Sequence, residues 1–206
     1  MASMKIRTTT RTPAVVGRAP LALLSAMALL VAFGATPLAA QQAPPSERVP
    51  APAPEDVATI DGAVAAIYAA ISGPAGQPRD WDRFRSVMHP DARLIPTGAT
   101  PAGGRGANFW TVEDYIQRAG AQLEAGGFFE NELGRRTDRY GSVVHLMSAY
   151  ESLRTADGEP FARGVNSFQL FWDGARWWVM NIFWEAETPE NPIPADLIGA
   201  RNQPDS

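Results

Sequence analysis

Few side chains in this sequence are suited to acid–base chemistry. There are two histidines, His89 and His145, and no cysteine. Imidazole titrates closest to neutrality of all side chains, so His145, within a run of alternating residues, is a candidate general base or ligand donor. Glu151, six positions on, is a second candidate base, provided partial desolvation raises its pKa. Asn166 and Asn181, in the two following runs, offer amides that could orient a ligand. Each has a plain structural role open to it as well. His145 could pair with a backbone carbonyl or Arg136, Glu151 with Arg163, and the two asparagines with each other. His145 lies four residues along its strand from Ala149, roughly 13 Å at about 3.3 Å per residue, which disfavours an immediate His145–Glu151 dyad. His89 precedes Pro90, where a cap interaction suits it better than chemistry.

Without cysteine, thiol nucleophiles and thiolate metal sites are excluded, and a zinc site would need carboxylates beside the two histidines. No metal and no cofactor are expected.

The elements that must carry these residues follow from periodicity. Val57, Ile60, Val64, Ile67 and Ile71 recur at helical steps after Pro54, and Gly73-Pro74 ends that helix. Asp80 can cap a second helix with Trp81, Phe84, Val87 and Met88 on one face, stopped at His89-Pro90. Leu94-Ile95 and a Gly-rich loop at 103–106 come next. Thr111 with Asp114 is a capping pattern for a third helix, which ends at Gly126-Gly127. From Phe128 the period becomes two, and turns at Tyr140-Gly141, Asp157-Gly158 and Asp173-Gly174 separate four strands at about 129–139, 142–154, 161–172 and 176–187. Helices first and a strand meander afterwards predict an α+β domain, three helices packed on a curved antiparallel sheet.

The N-terminus carries Lys5, Arg7, Arg11 and Arg18, then an apolar run from Ala19 to Phe33, then small residues at Ala39-Ala40. That is the pattern of a signal peptide over 1–40, shorter in its apolar core than a membrane span. The expected location is therefore outside the cytoplasm, periplasmic or secreted, with no membrane attachment after cleavage. Residues 41–54, rich in proline, read as a linker, 55–188 as the domain and 189–206 as a C-terminal tail. Loss of residues 1–40 removes four of 18 basic residues and none of 22 acidic ones, leaving 14 against 22 and a net charge of −8. Such a surface argues against nucleic acid as a partner.

Two strings, Met88-His-Pro-Asp-Ala-Arg-Leu94 and Asp173-Gly-Ala-Arg-Trp-Trp-Val179, together with the element order, resemble the nuclear transport factor 2-like superfamily and its SnoaL-like members. Tyr150-Glu-Ser and Arg163-Gly-Val-Asn-Ser-Phe-Gln-Leu170 look like strings of exported bacterial members without an assigned function. The resemblance implies a cone with a pocket between helices and sheet, and frequently a dimer. It does not fix a reaction, because the fold hosts isomerases, hydrolases, cyclases and binders.

Turns of even length would place His145 opposite Leu170, Ala149 opposite Asn166, and Asn166 opposite Asn181. One sheet face then carries His145, Glu151, Asn166 and Asn181, and the resemblance favours it as the pocket wall. Tyr68, Trp81, Phe84, Trp110 and Tyr115 would line the helical side. The opposite face would gather Tyr150, Phe171, Trp178, Met180, Ile182 and Trp184 into an apolar patch suited to a homodimer, unless that face is itself the pocket. The expected function is binding of a small, partly apolar organic molecule. The alternatives are an isomerase or hydrolase using His145 or Glu151 as base, and a non-catalytic dimeric interaction module with a filled cone.

Overall fold

A computed structural model describes residues 43–199. The expected signal segment and the last residues of the tail lie outside the described residues. Four helices, α1 (Glu55–Ala58), α2 (Ile60–Ile71), α3 (Trp81–Val87) and α4 (Val112–Gly126), lie with six strands, β1 (Met88–Ala99), β2 (Arg105–Ala107), β3 (Phe129–Tyr140), β4 (Val143–Leu153), β5 (Ala162–Trp172) and β6 (Trp177–Ala186). The strands form one curved, unclosed sheet in the order β2-β1-β6-β5-β4-β3. This is the α+β cone that the element order and the resemblance predict.

Helix boundaries obey the capping chemistry visible in the sequence. Asp80 accepts from the Arg83 amide at 2.9 Å, and Thr111 and Asp114 complete a reciprocal capping box. The first expected helix is broken in two. Thr59 is extended and caps α2 by accepting from the Gly62 amide at 2.9 Å. Gly62 is needed there because a side chain would run into the Glu55 carbonyl.

The sheet is larger than the four-stranded meander expected. The run after α3 is not a short apolar patch but the twelve-residue β1, which pairs parallel to β6, with Leu94 beside Ile182. The Gly-rich loop turns β1 into β2. The core lies between α2, α3, α4 and the concave face, where Phe84, Val87, Leu146, Phe168 and Val179 are almost wholly buried. Each such side chain contributes about 1.5–3 kcal/mol of burial.

Strand parity differs from the expectation in two places. The last β4–β5 pair is Ser152 with Ala162, so the connection 153–161 has an odd number of residues. His145 therefore faces Gln169, and Ala149 faces Val165, one position away from the even-turn register. Then β6 bulges at Met180, because Leu170 pairs with Val179 while Gln169 pairs with Asn181. The concave face accordingly carries Ser148, Tyr150, Ser152, Asn166, Phe168, Ile182 and Trp184. His145, Glu151, Asn181 and Phe183 lie on the convex side.

The flanking segments also hold to the domain. Arg48, in the proline-rich stretch, makes a two-pronged ion pair with Asp91 at 2.7 and 3.2 Å. After β6 the chain folds back, and Ile193 and Leu197 are buried on the convex side against Ala149, with Leu133, Met147 and Val165 around them. Part of the stretch read as a tail thus packs on the sheet.

Candidate functional site

The cavity that the fold leaves under the helices measures about 240 Å³. Its walls are mostly apolar: Ile67 and Ile71 from α2, Phe84 from α3, Phe168 from β5, Ile182 and Trp184 from β6. Into this lining project five polar side chains, Glu130, Tyr115, Tyr150, Ser152 and Asn166.

Glu130 is the charged group of the set. It points inward because it pairs with Ser152 on β4, whose even positions face the helices. Its Oε1 accepts from Asn166 Nδ2 at 3.2 Å and its Oε2 from Ser152 Oγ at 3.3 Å. Burial among aromatic rings pushes its pKa up to about 7, while the two donors act in the opposite direction. A carboxyl so poised can give or take a proton near neutral pH.

Tyr115 on α4 and Tyr150 on β4 sit in the field of Glu130. Burial, followed by that negative charge, raises the pKa of both hydroxyls, so both stay protonated and act as donors. Among the described residues neither hydroxyl has a protein hydrogen-bond partner. Asn166 also donates to the Tyr68 hydroxyl at 3.1 Å, and that hydroxyl lies 2.7 Å from Ser148 Oγ.

Of the residues expected from the sequence to line the pocket, Asn166 does so from the sheet, and Phe84 and Tyr115 do so from the helical side. Tyr68 stands behind Asn166 as its hydrogen-bond partner. Trp81 packs edge-on against Phe84 and Tyr115 and donates to Glu124 at 3.3 Å. Trp110 packs on Trp184 outside the lining. His145 lies on the convex side, with Nε2 2.9 Å from Ser167 Oγ. Glu151 is also outside, its nearest donor Asn131 at 3.5 Å, and its cross-strand neighbour Arg163 is paired with Glu187 instead. Asn181 donates to Gln169 at 3.0 Å and does not meet Asn166. The odd-numbered loop and the Met180 bulge move these three residues off the pocket wall.

The same two shifts redistribute the residues of the expected apolar face. Tyr150 and Trp184 line the cavity. Trp178 is 1 % exposed, covered by Arg176 and His89, with its indole donating to Asp173 at 2.7 Å. Met180 occupies the bulge, so the four residues do not form one continuous face.

Glu130 was missed because it has no periodic signal. The inward positions of β3 run Glu130, Glu132, Arg135, Thr137 and Arg139, which reads as a solvated edge strand. The available clue was Phe128-Phe129 just before a carboxylate.

A second hollow of about 290 Å³ lies under the C-terminal segment, between Met147, Phe183 and Ile193. Its carboxylates are already engaged, Glu187 by Arg163 and the Ile193 amide, Glu185 by Arg105. Among the described residues no three His, Asp or Glu side chains are grouped to hold a metal ion.

No protein-family model and no curated protein matches the sequence. Solved structures do resemble it in fold. A protein of unknown function with a cystatin-like fold from Nostoc punctiforme superposes with a TM-score of 0.49 at 13% identity, over 66% of this chain and 92% of that one. An NTF2-like protein of unknown function from Methylobacillus flagellatus gives 0.42 at 15%, over 63% and 92%. The β subunit of a putative aromatic-ring-hydroxylating dioxygenase from Novosphingobium aromaticivorans gives 0.46 at 16%, over 64% and 88%. At these identities the likeness is one of architecture alone.

Proposed function

We propose that this chain is an exported protein that binds a small, partly apolar organic molecule in the cavity between helices and sheet, with Glu130 as its polar anchor. The observation that carries the reading is a single carboxyl, held by Asn166 and Ser152, at the wall of an aromatic hollow of about 240 Å³. That volume is close to the roughly 300 Å³ at which ligand sites begin and well above the space of a few waters, which disfavours a filled cone. The proposed ligand is the size of a single ring system, with an apolar body against Trp184 and Phe168. Export rests on the basic and apolar pattern of residues 1–40.

Native mass spectrometry of protein purified from its own periplasm or medium tests both parts. The expected mass is that of a chain beginning at Gln41 with a co-purifying organic molecule, which Glu130→Ala releases. A wild-type protein that retains nothing, and whose melting temperature no small aromatic or alicyclic compound shifts, would remove the binding reading.

A second reading is favoured by the two tyrosine hydroxyls. A ligand carbonyl oxygen could accept from Tyr115 and Tyr150 while Glu130 takes a proton from the adjacent carbon. The C–H electron pair then moves into the enolate, and return of the proton to another carbon completes an isomerisation. Here the base is Glu130, in place of His145 or Glu151. Exchange of ligand C–H for deuterium in heavy water, lost in Glu130→Gln, is the expected sign; binding with no such exchange would leave the chain a binder only.

A further inference from the structure

Behind the cavity, a line of hydrogen bonds crosses the floor of the cone from one glutamate to another. Arg135 donates to Glu132 Oε2 at 2.6 Å and to the exposed Asp61 at 3.0 Å. Ser148 donates to the other oxygen of Glu132. The Tyr68 hydroxyl lies 2.7 Å from Ser148 Oγ, and Asn166 Nδ2 lies 3.1 Å from Tyr68 and 3.2 Å from Glu130. Ser148, Tyr68 and Asn166 are all buried.

The direction of every bond in this line follows from its far end. A hydroxyl has one proton to give. Ser148 gives its proton to Glu132, so it must accept from Tyr68. Tyr68 thereby loses its own proton as a donor and must accept. The end of Asn166 that faces Tyr68 is then its NH2, and the second N–H of that group points at Glu130. Had Tyr68 been free to donate, the carbonyl end of Asn166 could face it equally well.

We infer that Tyr68, Ser148 and Glu132 are positioning residues, and that Glu132 sets through them which end of the Asn166 amide is offered to Glu130. The inference builds on the reading of Glu130 as the anchor of the site. It gives this chain a polarity switch: reversal of the line turns the carbonyl of Asn166 to the cavity, where it can be met only by a protonated Glu130. The groups that face Glu130 from the packed elements are Tyr68 on α2, Tyr115 on α4, Tyr150 and Ser152 on β4 and Asn166 on β5, and Glu132, on the same strand, shares with it the field at Tyr68. From α3 and β6 it meets only rings and aliphatic groups.

Glu132→Gln tests the inference by the sign of its effect. Arg135 has only donors, so the glutamine must turn its oxygen to Arg135 and its NH2 to Ser148, which reverses each bond in turn. Asn166 flips, and the titration midpoint of Glu130 rises by about one unit. Plain electrostatics predicts the opposite, since removal of a nearby negative charge makes a carboxylate easier to ionise. The readout is the carboxyl 13C shift of Glu130 against pH in the ligand-free protein, assigned with Glu130→Gln. In the double variant Tyr68→Phe with Glu132→Gln the line is cut, and the rise should vanish. Ser148→Ala provides an independent cut that alters no charge. It frees Tyr68 to donate to Asn166 and should also raise the midpoint. A midpoint that falls or stays in Glu132→Gln and stays in Ser148→Ala overturns the inference. Because no ligand is present in this titration, a failure of the binding proposal and a failure of this one are told apart.

Discussion

The ring of Tyr150 lies directly over Gly164, its partner across β4 and β5: a Cβ at position 164 would stand 2.5 Å from the Tyr150 hydroxyl and 2.7 Å from its ring. The same Cβ would also press on the Glu185 carbonyl of β6. Gly164→Ala should therefore push Tyr150 into the cavity and cost about 1–3 kcal/mol by overpacking. Urea unfolding measures the loss, and ligand retention should fall with it. An alanine variant as stable as the parent would mean that the ring and the strand give way freely.

Glu130 ties stability to pH. Its folded pKa, about 7, lies above the 4.5 of a solvated glutamate, so between these values the folded chain binds a proton that the unfolded chain has lost. The contribution is fully present below about pH 4.5 and is lost as pH rises through 7. Glu130→Gln should flatten this part of the stability curve between pH 5 and 8, measured by denaturant midpoints at each pH.

Arg79 holds the blunt ends of two helices together. Its guanidinium donates to the carbonyls of Ile71 and Gly73 after α2 at 2.9 and 2.7 Å, and to Leu123 in α4 at 2.6 Å. Arg79→Met would remove the guanidinium from all three carbonyls, leaving Gly73 only the Phe128 amide at 3.0 Å, and should destabilise the domain by about 3 kcal/mol or more. Lysine should restore little, because one ammonium cannot span the same fan of carbonyls. Thermal melts of the two variants decide this.

His145 and Glu151 stand on the outside of the sheet, away from the cavity. His145→Ala and Glu151→Ala should leave both the Glu130 titration and any retained ligand unchanged. Loss of ligand in either variant would show that the convex side takes part.

The sequence makes most of the frame legible, for reasons that can be assigned. The caps at Asp80 and Thr111 and the turns at Gly141 and Asp173-Gly174 are local chemistry, and each is where its side chains require it. β1 was hidden because its pairing with β6 is non-local and its apolar content is confined to a few residues. Parity was the decisive loss. It depends on counting residues through the 153–161 connection and on the bulge at Met180, and neither has a signature as strong as an Asp-Gly turn. A register one residue away places Ser148 and Tyr150, in place of His145 and Glu151, on the face under the helices. Asn166 survived because the fifth strand kept its orientation.

The parallel contact of Leu94 with Ile182 also bears on how the chain is assembled. Residues 100–176 separate the two strands, and everything between them must be synthesised before they meet. Until the final hairpin emerges, the early helices have no sheet centre to rest on, and the growing polypeptide stays unfinished. A chain cut before the sixth strand should consequently yield an aggregation-prone fragment rather than a smaller stable core.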